Sequence, residues 1–267
     1  MRRFLDKSTT AESIDADYTE GALRLTPRPT IVTTSWDDGH SLDFRLAELL
    51  SSHGVLGTFY VPLSHRRIPS VTPRRLQSLR QFGMEIGAHG IDHTVFTMVS
   101  DLSTELVTGK KLLENLVGEP ISSLAYPKGV FNSSVCHLVA HSGYRLARTT
   151  AAFRTSLAFD PYRMPVSLHF TRHSNKVLIR HALKDGNLRG LFDWWRRWQC
   201  ETDPFLLAEL MFEDVCNRGG VFHIWGHSWE IETLGLWDTM ERLLKRIAAR
   251  PGVCYLTNKQ TVDAIER

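Results

Sequence analysis

The chain has 267 residues, of which 42% are hydrophobic and 23% charged, the ordinary composition of a globular protein with a full core. Its 32 basic and 29 acidic residues include no long basic run, so the sequence argues against a nucleic-acid partner. No window approaches the roughly 18 apolar residues of a transmembrane helix, and residues 1–28 lack the apolar stretch of a secretory signal. We therefore expect a cytoplasmic protein without a transmembrane segment.

In chain order, a polar N-terminal extension (residues 1–28) precedes an alternation of short β-branched runs and amphipathic stretches. Strands are predicted at 30–36, 56–61, 84–88, 122–126, 144–148, 164–168, 221–225 and 253–256. Helices are predicted at 41–52, from Thr72-Pro73 onward, and at 101–117, 132–142, 174–183, 187–199, 203–217, 235–249 and from Thr257 or Asn258 onward. This alternation predicts an α/β fold with a parallel sheet, and one domain over residues 29–267.

The four cysteines lie far apart, and none belongs to a Cys-x-x-Cys pair: Cys136, Cys200, Cys216 and Cys254. This spacing favours neither a disulfide framework nor a thiolate zinc site. We expect all four to be thiols in the core.

The strand at 30–36 leads two adjacent carboxylates, Asp37 and Asp38, into a turn at Gly39. Two carboxylates held side by side repel each other and lose solvation, so such a pair usually needs a metal, a proton or an arginine to offset it. The simpler alternative is a solvated Asp-Asp-Gly turn, because these turns are common at strand ends. The rest of the sequence has to distinguish the two.

The spacing His-x-x-x-His occurs four times and therefore identifies no site by itself: His89/His93, His137/His141, His169/His173 and His223/His227. His137 and His141 lie within a predicted amphipathic helix, which favours solvated side chains. His169 and His173 follow a plausible strand but have no acid nearby in the sequence. Parallel α/β folds place their sites at the carboxyl ends of strands, so position along the strand is the better criterion.

By that criterion, His89 and His93 are the strongest candidates, because they directly follow the predicted strand 84–88. Imidazoles four residues apart on one helical turn face the same way and can share one ion. A carboxylate from Asp37 or Asp38 would complete a His2Asp set, which is typical of zinc sites that do chemistry.

His223 and His227 lie on one face of the predicted strand around 221–225 and its end. His227 is nearer the carboxyl end and is expected to reach the site. His223 lies deeper along the strand, and we expect a hydrogen-bonded core histidine there.

Four segments resemble motifs of the polysaccharide deacetylase, or NodB-homology, family of metal-dependent carbohydrate de-N-acetylases and esterases. They are Ser35-Trp36-Asp37-Asp38-Gly39, His89-Gly90-Ile91-Asp92-His93, Ala125-Tyr126-Pro127-Lys128-Gly129 and the strand-end His227. Thr94 stands where a proline often follows the second motif. The resemblance extends over residues 30–230 and implies a distorted, TIM-like (β/α)-barrel of seven parallel strands, with the active site at their carboxyl ends.

The resemblance also implies a metal site and a reaction. Asp38, His89 and His93 would hold a divalent metal, usually zinc, and an acetylated sugar or glycan precursor would be the substrate. The implied reaction is the hydrolytic removal of an acetyl group from an N-acetylated sugar. Such a metal activates water and polarises the acyl oxygen.

The other residues carried over by the resemblance have roles around that metal. Asp37 would be the general base and His227 the general acid that protonates the leaving amine. The backbone N–H of Lys128, after the Tyr126-Pro127 pair, would hold the oxyanion, and we count Tyr126 with it as an oxyanion or substrate contact.

One departure from the family pattern concerns the cation that orients the catalytic acid. Many members carry an arginine in the third motif, where this chain has Ala125. Arg148, at the end of the predicted strand 144–148, is the replacement by position. The alternative is an exposed arginine at a strand end, which is common.

Two other functions stay open beside a sugar deacetylase. The same fold and metal could hydrolyse a non-sugar amide or imide, because the fold does not determine the substrate. A catalytically silent carbohydrate-binding module is disfavoured, because a binder need not keep Asp37 and His227.

None of these motifs includes the aromatic and basic segment Trp194-Trp195-Arg196-Arg197-Trp198. Half-buried helix packing is the more frequent role of such a cluster. A sugar-stacking lid and a contact with a membrane surface are the alternatives.

Overall fold

The computed structural model describes residues 28–65 and 72–266, so all of the predicted extension 1–28 except Arg28 lies outside the described residues. Eight strands occur in the described part: β1 (Thr30–Asp37), β2 (Gly57–Val61), β3 (Glu85–Ala88), β4 (Ser123–Ala125), β5 (Leu146–Arg148), β6 (Leu168–His169), β7 (Gly220–Gly226) and β8 (Val253–Tyr255). The helices there are α1 (Asp43–Ser52), α2 (Pro73–Gln81), α3 (Leu102–Val117), α4 (Ser133–His141), α5 (Asn175–Lys184), α6 (Leu188–Arg196), α7 (Pro204–Arg218), α8 (Ser228–Thr233), α9 (Trp237–Ile247) and α10 (Asn258–Ile265).

The strands form one parallel sheet in the order β5-β4-β3-β2-β1-β7-β6, and β8 pairs with the beginning of β1. Seven of them curl into a half-barrel, in which Met164 extends the sheet beyond β5 through a parallel bridge to Arg148. The predicted α/β fold with a distorted seven-stranded barrel is therefore confirmed. Because every pairing is parallel, the carboxyl ends of β1, β3, β4, β5 and β7 meet at one edge.

The central strand β1 is buried along all eight of its residues, which explains its β-branched sequence. Its polar side chains find partners inside the protein, as buried hydroxyls must. The Thr33 hydroxyl lies 2.9 Å from Asn258 Oδ1, and the Thr34 hydroxyl donates to the Leu56 carbonyl at 3.1 Å. These contacts fix the strand that carries the two acids.

Helix starts follow the capping residues of the sequence. Thr72, Asp101 and Asn132 each accept a backbone N–H at the start of a helix, and Thr257 forms a capping box with Gln260. The predicted helix 235–249 is shorter than expected, and a six-residue helix that was not predicted, α8, precedes it. So short a helix offers too few turns for a periodic apolar pattern.

Two predictions about side chains need correction. Only Cys136 among the four cysteines is buried, and Cys254 is exposed because the alternation of β8 turns its side chain outward. In the tryptophan cluster, packing is confirmed for Trp194 and Trp198, which are buried, whereas Trp195 is 61% exposed. Within the described residues, none of the helices combines the length and the apolar character needed to cross a bilayer.

Candidate active site

Asp37 is the last residue of β1, and Asp38 follows it with a positive φ of 77°. Gly39 continues the turn at φ 62°, and a Cβ at this position would lie 2.8 Å from a methyl carbon of Val61. The turn therefore needs a residue without a side chain after the acids. Both carboxylates are 4% exposed, so the solvated-turn alternative is wrong.

His89 follows β3 directly and is 1% exposed. Its Nδ1 lies 2.9 Å from the Ala125 carbonyl oxygen, which can only accept, so Nδ1 carries the proton and Nε2 keeps its lone pair. His93 adopts a left-handed conformation at φ 61° and brings its Nε2 to 3.5 Å from Asp38 Oδ1. His89 Nε2 lies 3.9 Å from the same oxygen, so both imidazoles face one carboxylate.

These three side chains fit a divalent metal. Their candidate ligand atoms all lie within 4.8 Å of one another. Asp38 Oδ2 accepts the indole N–H of Trp229 at 3.0 Å, whereas Oδ1 is buried and has no hydrogen-bond partner in the described part of the chain. Burial, together with the neighbouring His89, lowers the pKa of His93 to about 4, so its imidazole is neutral, as metal ligation requires. Two imidazoles and one carboxylate are a donor set suited to zinc.

Arg148 supplies the cation beside Asp37. Its guanidinium donates to Asp37 Oδ1, and its side chain is fully buried. The rings of Tyr60 and Trp225 lie 5.2 and 5.0 Å from the guanidinium carbon, which provides cation–π contacts to a charge removed from water. Burial raises the pKa of Asp37, but the charge and hydrogen bond of Arg148, together with the charge of His227, outweigh burial and lower the pKa, so Asp37 is ionised. The exposed-arginine alternative is therefore wrong.

His227 reaches the same cluster from the end of β7, with its Nε2 3.7 Å from Asp38 Oδ2. Its Nδ1 lies 2.5 Å from the carboxylate of Glu230, one turn into α8. Burial lowers the pKa of His227, but the bond to Glu230 and the charges of Asp37 and Asp38 outweigh it and raise the pKa. The imidazole is thus held by a carboxylate on one side and faces the acids on the other.

Glu230 is the functional candidate that the sequence interpretation missed. Its Oε2 also lies 2.9 Å from His169 Nε2, and His169 Nδ1 lies 3.1 Å from His173 Nε2. His169 therefore has its acid 61 positions away in the chain. The His-x-x-Glu spacing of residues 227 and 230 could have indicated this contact in the sequence, because side chains three residues apart on a helix lie on the same side.

His169, His227 and Glu230 also lie close enough together to hold an ion. Their contacts are already explained as hydrogen bonds, because one Glu230 oxygen accepts from a ring N–H of each histidine. The bonds from His169 and His227 lower the pKa of Glu230 against the opposing effect of burial, so this carboxylate is ionised. We therefore assign this group to holding His227.

The turn after β4 carries the two predicted oxyanion contacts, and the structure separates them. Lys128 has a left-handed backbone at φ 57° within a short 3-10 turn, Pro127–Gly129. The Tyr126 side chain is fully buried, its ring stacks on Phe131, and its hydroxyl donates to the Tyr162 carbonyl at 2.8 Å. A direct contact of the Tyr126 side chain with substrate is therefore corrected to a structural role. The backbone contact at Lys128 stays a prediction.

Three further histidines, His137, His141 and His223, lie in the surroundings that the sequence predicted for them. His137 and His141 are exposed on α4. His223 is 1% exposed, and its ring nitrogens lie 2.9 Å from the Pro165 carbonyl and 2.9 Å from the Ser35 hydroxyl. His223 is therefore a core histidine with a hydrogen-bond partner for each ring nitrogen, as predicted.

Comparisons with known proteins show which family and which folds this chain is similar to. Residues 24–147 match the family model described as polysaccharide deacetylase. This match covers just under half of the chain, and over that span the chain is similar to the polysaccharide deacetylase family. A curated relative, "Putative polysaccharide deacetylase YxkH" of Bacillus subtilis (strain 168), is 26% identical over 161 residues, which are 55% of this chain and 57% of the relative. The chain thus matches little more than half of the length of that relative.

Solved structures share the fold of this chain. A "putative polysaccharide deacetylase from Mycobacterium smegmatis" is 17% identical with a TM-score of 0.63, over 90% of this chain and 92% of that one. A family 4 carbohydrate esterase from Streptomyces lividans, solved with acetate, is 15% identical with a TM-score of 0.51, over 84% and 91% of the two chains. The polysaccharide deacetylase match ends at residue 147, so Arg148, His227 and Glu230 rest on the geometry described above.

Proposed function

We propose that this protein is a metal-dependent hydrolase of the polysaccharide deacetylase family, which removes an acetyl group from an N-acetylated sugar or glycan intermediate. The observation that carries the proposal is the buried cluster in which His89 and His93 face the unpartnered oxygen of Asp38. Asp37 and His227 border this cluster. Arg148 holds Asp37, and Glu230 holds His227. A module that only binds carbohydrate would not need Asp37 and His227 to be held in this way.

In this proposal, Asp38, His89 and His93 hold a divalent metal, and zinc suits the donor set best. When bound, the metal polarises the acyl oxygen and makes water more acidic. The three residues contribute by presenting two neutral imidazoles and one carboxylate from the turns that follow β1 and β3. The hydrogen bond from His89 Nδ1 to Ala125 fixes the orientation of that ring.

Asp37 is the general base, because its carboxylate is ionised and Arg148 fixes its orientation through Oδ1. Its second oxygen, Oδ2, is left to take a proton from the attacking water. Arg148 has the further effect of keeping the buried carboxylate charged when no substrate is present.

His227 is the general acid. Its Nδ1 proton is held by Glu230, so Nε2, which faces Asp38, is the atom that can deliver a proton to the leaving amine. Its raised pKa keeps the imidazole protonated to higher pH. In the same proposal, the backbone N–H of Lys128 stabilises the developing oxyanion.

The test is acetate release from N-acetylglucosamine oligomers in the presence of zinc, with wild type and Asp37→Asn compared at equal metal content. We expect release by wild type and a loss of about 10²- to 10⁴-fold in the variant, the usual contribution of a general base. Acetate release from simple amides or imides alone would favour the non-sugar alternative. Oligomers that bind and are recovered intact would favour a binding module. The cytoplasmic location stays a prediction, to be checked by cell fractionation.

A further inference from the structure

The outward face of α6 carries three large apolar side chains. Leu188, Phe192 and Trp195 are 67%, 56% and 61% exposed. Their spacing of four and three residues places them on one face of the helix. Leu183, just before this helix, is 53% exposed. Exposed apolar residues that occur singly need no explanation, but a continuous stripe on one helix indicates an interaction surface.

The opposite face of α6 holds the helix on the protein without help from this stripe. Trp194 is buried, and its indole N–H donates to the Glu201 carbonyl at 2.9 Å. Its ring stacks on Phe153 at a centroid distance of 6.0 Å. Trp198, one turn later, is also buried. The fold therefore needs the buried tryptophans, and the exposed Phe192 and Trp195 are not explained by packing.

Basic side chains are concentrated in the segment that carries the apolar stripe. Residues 172–199 contain seven basic and two acidic residues in a chain whose formal net charge is only +3, so the rest of the chain is slightly acidic. Six of the basic side chains are exposed and make no ion pair with a residue in the described ranges: Arg172, Lys176, Arg180, Lys184, Arg189 and Arg196. The partner of this surface is therefore expected to be anionic as well as apolar.

We propose that the α5–α6 hairpin, residues 175–196, docks the protein on the surface of a bilayer that contains anionic phospholipid. Leucine, phenylalanine and tryptophan insert at the boundary between headgroups and acyl chains, and arginine and lysine bind the phosphates. A second copy of this chain is a poorer occupant, because two surfaces of the same positive charge repel each other.

The hairpin is joined to the candidate active site. His173, just before α5, lies 3.1 Å from His169, and the ring of His181 on α5 is 5.5 Å from that of His173. Docking therefore brings the active-site region close to the membrane surface. The inference does not depend on the proposed deacetylase activity, because membrane binding is measured without substrate.

The test is co-sedimentation of the full chain with vesicles of phosphatidylcholine alone and of phosphatidylcholine mixed with phosphatidylglycerol. We expect at least about tenfold stronger binding to the anionic vesicles, weakened by salt because the attraction is electrostatic. Phe192→Ser with Trp195→Ser, and separately Arg189→Gln with Arg196→Gln, should each lower this binding at least about tenfold. The matched control is Leu112→Ser, an exposed apolar residue of α3, which should bind like wild type.

Circular dichroism and thermal unfolding establish that each variant is folded before its binding is compared. Equal binding by wild type and both double variants, or no binding of wild type to anionic vesicles, would overturn the proposal. A dimer in sedimentation velocity that dissociates in the Phe192→Ser, Trp195→Ser variant would assign the face to a second copy and would also overturn it.

Discussion

Arg148 and Asp37 form a buried ion pair although 111 positions separate them in the chain. The sequence predicted the partner from its place at a strand end, because the carboxyl ends of β1 and β5 meet at one edge of the sheet. What no sequence pattern could predict is the pair of rings, Tyr60 and Trp225, that flank the guanidinium. They come from two further strands and depend on the completed fold.

Replacing Arg148 is expected to damage both stability and activity. Arg148→Gln leaves the Asp37 carboxylate buried without its cation, which costs about 3–5 kcal/mol in the free energy of unfolding. Arg148→Lys keeps the charge but not the planar fork, so we expect a smaller stability loss and still at least about a tenfold lower kcat. Urea unfolding and acetate release measure the two effects. An Arg148→Gln protein as stable and active as wild type would contradict the assigned pair.

Glu230 is expected to act on the reaction through His227. In Glu230→Gln, we predict that kcat falls at least about tenfold while KM and metal content stay unchanged. The basic limb of the kcat–pH profile should move to lower pH, because the Glu230 carboxylate raises the pKa of His227. Glu232→Gln is the matched control on the same helix, since Glu232 instead contacts Arg45 and Trp237. Equal effects of the two substitutions would refute the positioning role.

At the scale of elements, capping residues and β-branched runs predicted the sequence of strands and helices, because these signals are local. The short helix α8 was missed, and with it the carboxylate of Glu230, since six residues carry too little periodicity. The burial of the Tyr126 side chain was also missed. Its partner Tyr162 lies beyond the following helix and strand, so the contact exists only in the folded protein.

The strand β3 that leads to His89 depends on a glycine. A Cβ at Gly87 would lie 2.4 Å from a ring carbon of Tyr60 and 2.7 Å from the Ser123 hydroxyl. Gly87→Ala should therefore lower the free energy of unfolding by about 1–3 kcal/mol, the usual cost of overpacking. Because Tyr60 also flanks Arg148, acetate release should fall as well. Unchanged unfolding in urea would mean that Tyr60 can move aside without cost.

At the scale of the whole molecule, buried neutral histidines couple stability to pH. Burial, with the charge of Arg148, lowers the pKa of His223 to about 3. In the unfolded chain this histidine has an ordinary pKa of about 6.5 and binds a proton below that pH, whereas in the folded state it stays neutral. The free energy of unfolding therefore falls as the pH drops from about 6.5 towards 3. Between pH 7 and pH 5 this residue alone accounts for about 2 kcal/mol.

His223→Gln isolates that contribution, because an amide can replace both hydrogen bonds without titrating. The difference in the free energy of unfolding between pH 7 and pH 5, measured in urea, should be about 2 kcal/mol smaller in the variant than in wild type. His137→Gln, an exposed histidine of α4, is the control and should leave the difference unchanged. A variant with the full wild-type pH dependence would show that His223 is not the buried neutral residue described here.

The central claim, that Asp38, His89 and His93 form a metal site, is tested most directly by elemental analysis of protein purified without added metal. We predict about one equivalent of a divalent metal, and zinc before any other, in wild-type protein and in His137→Ala. His93→Ala should lose most of the bound metal. Circular dichroism should show that all three proteins are folded. Wild-type protein that holds no metal and takes up no added zinc would contradict the account.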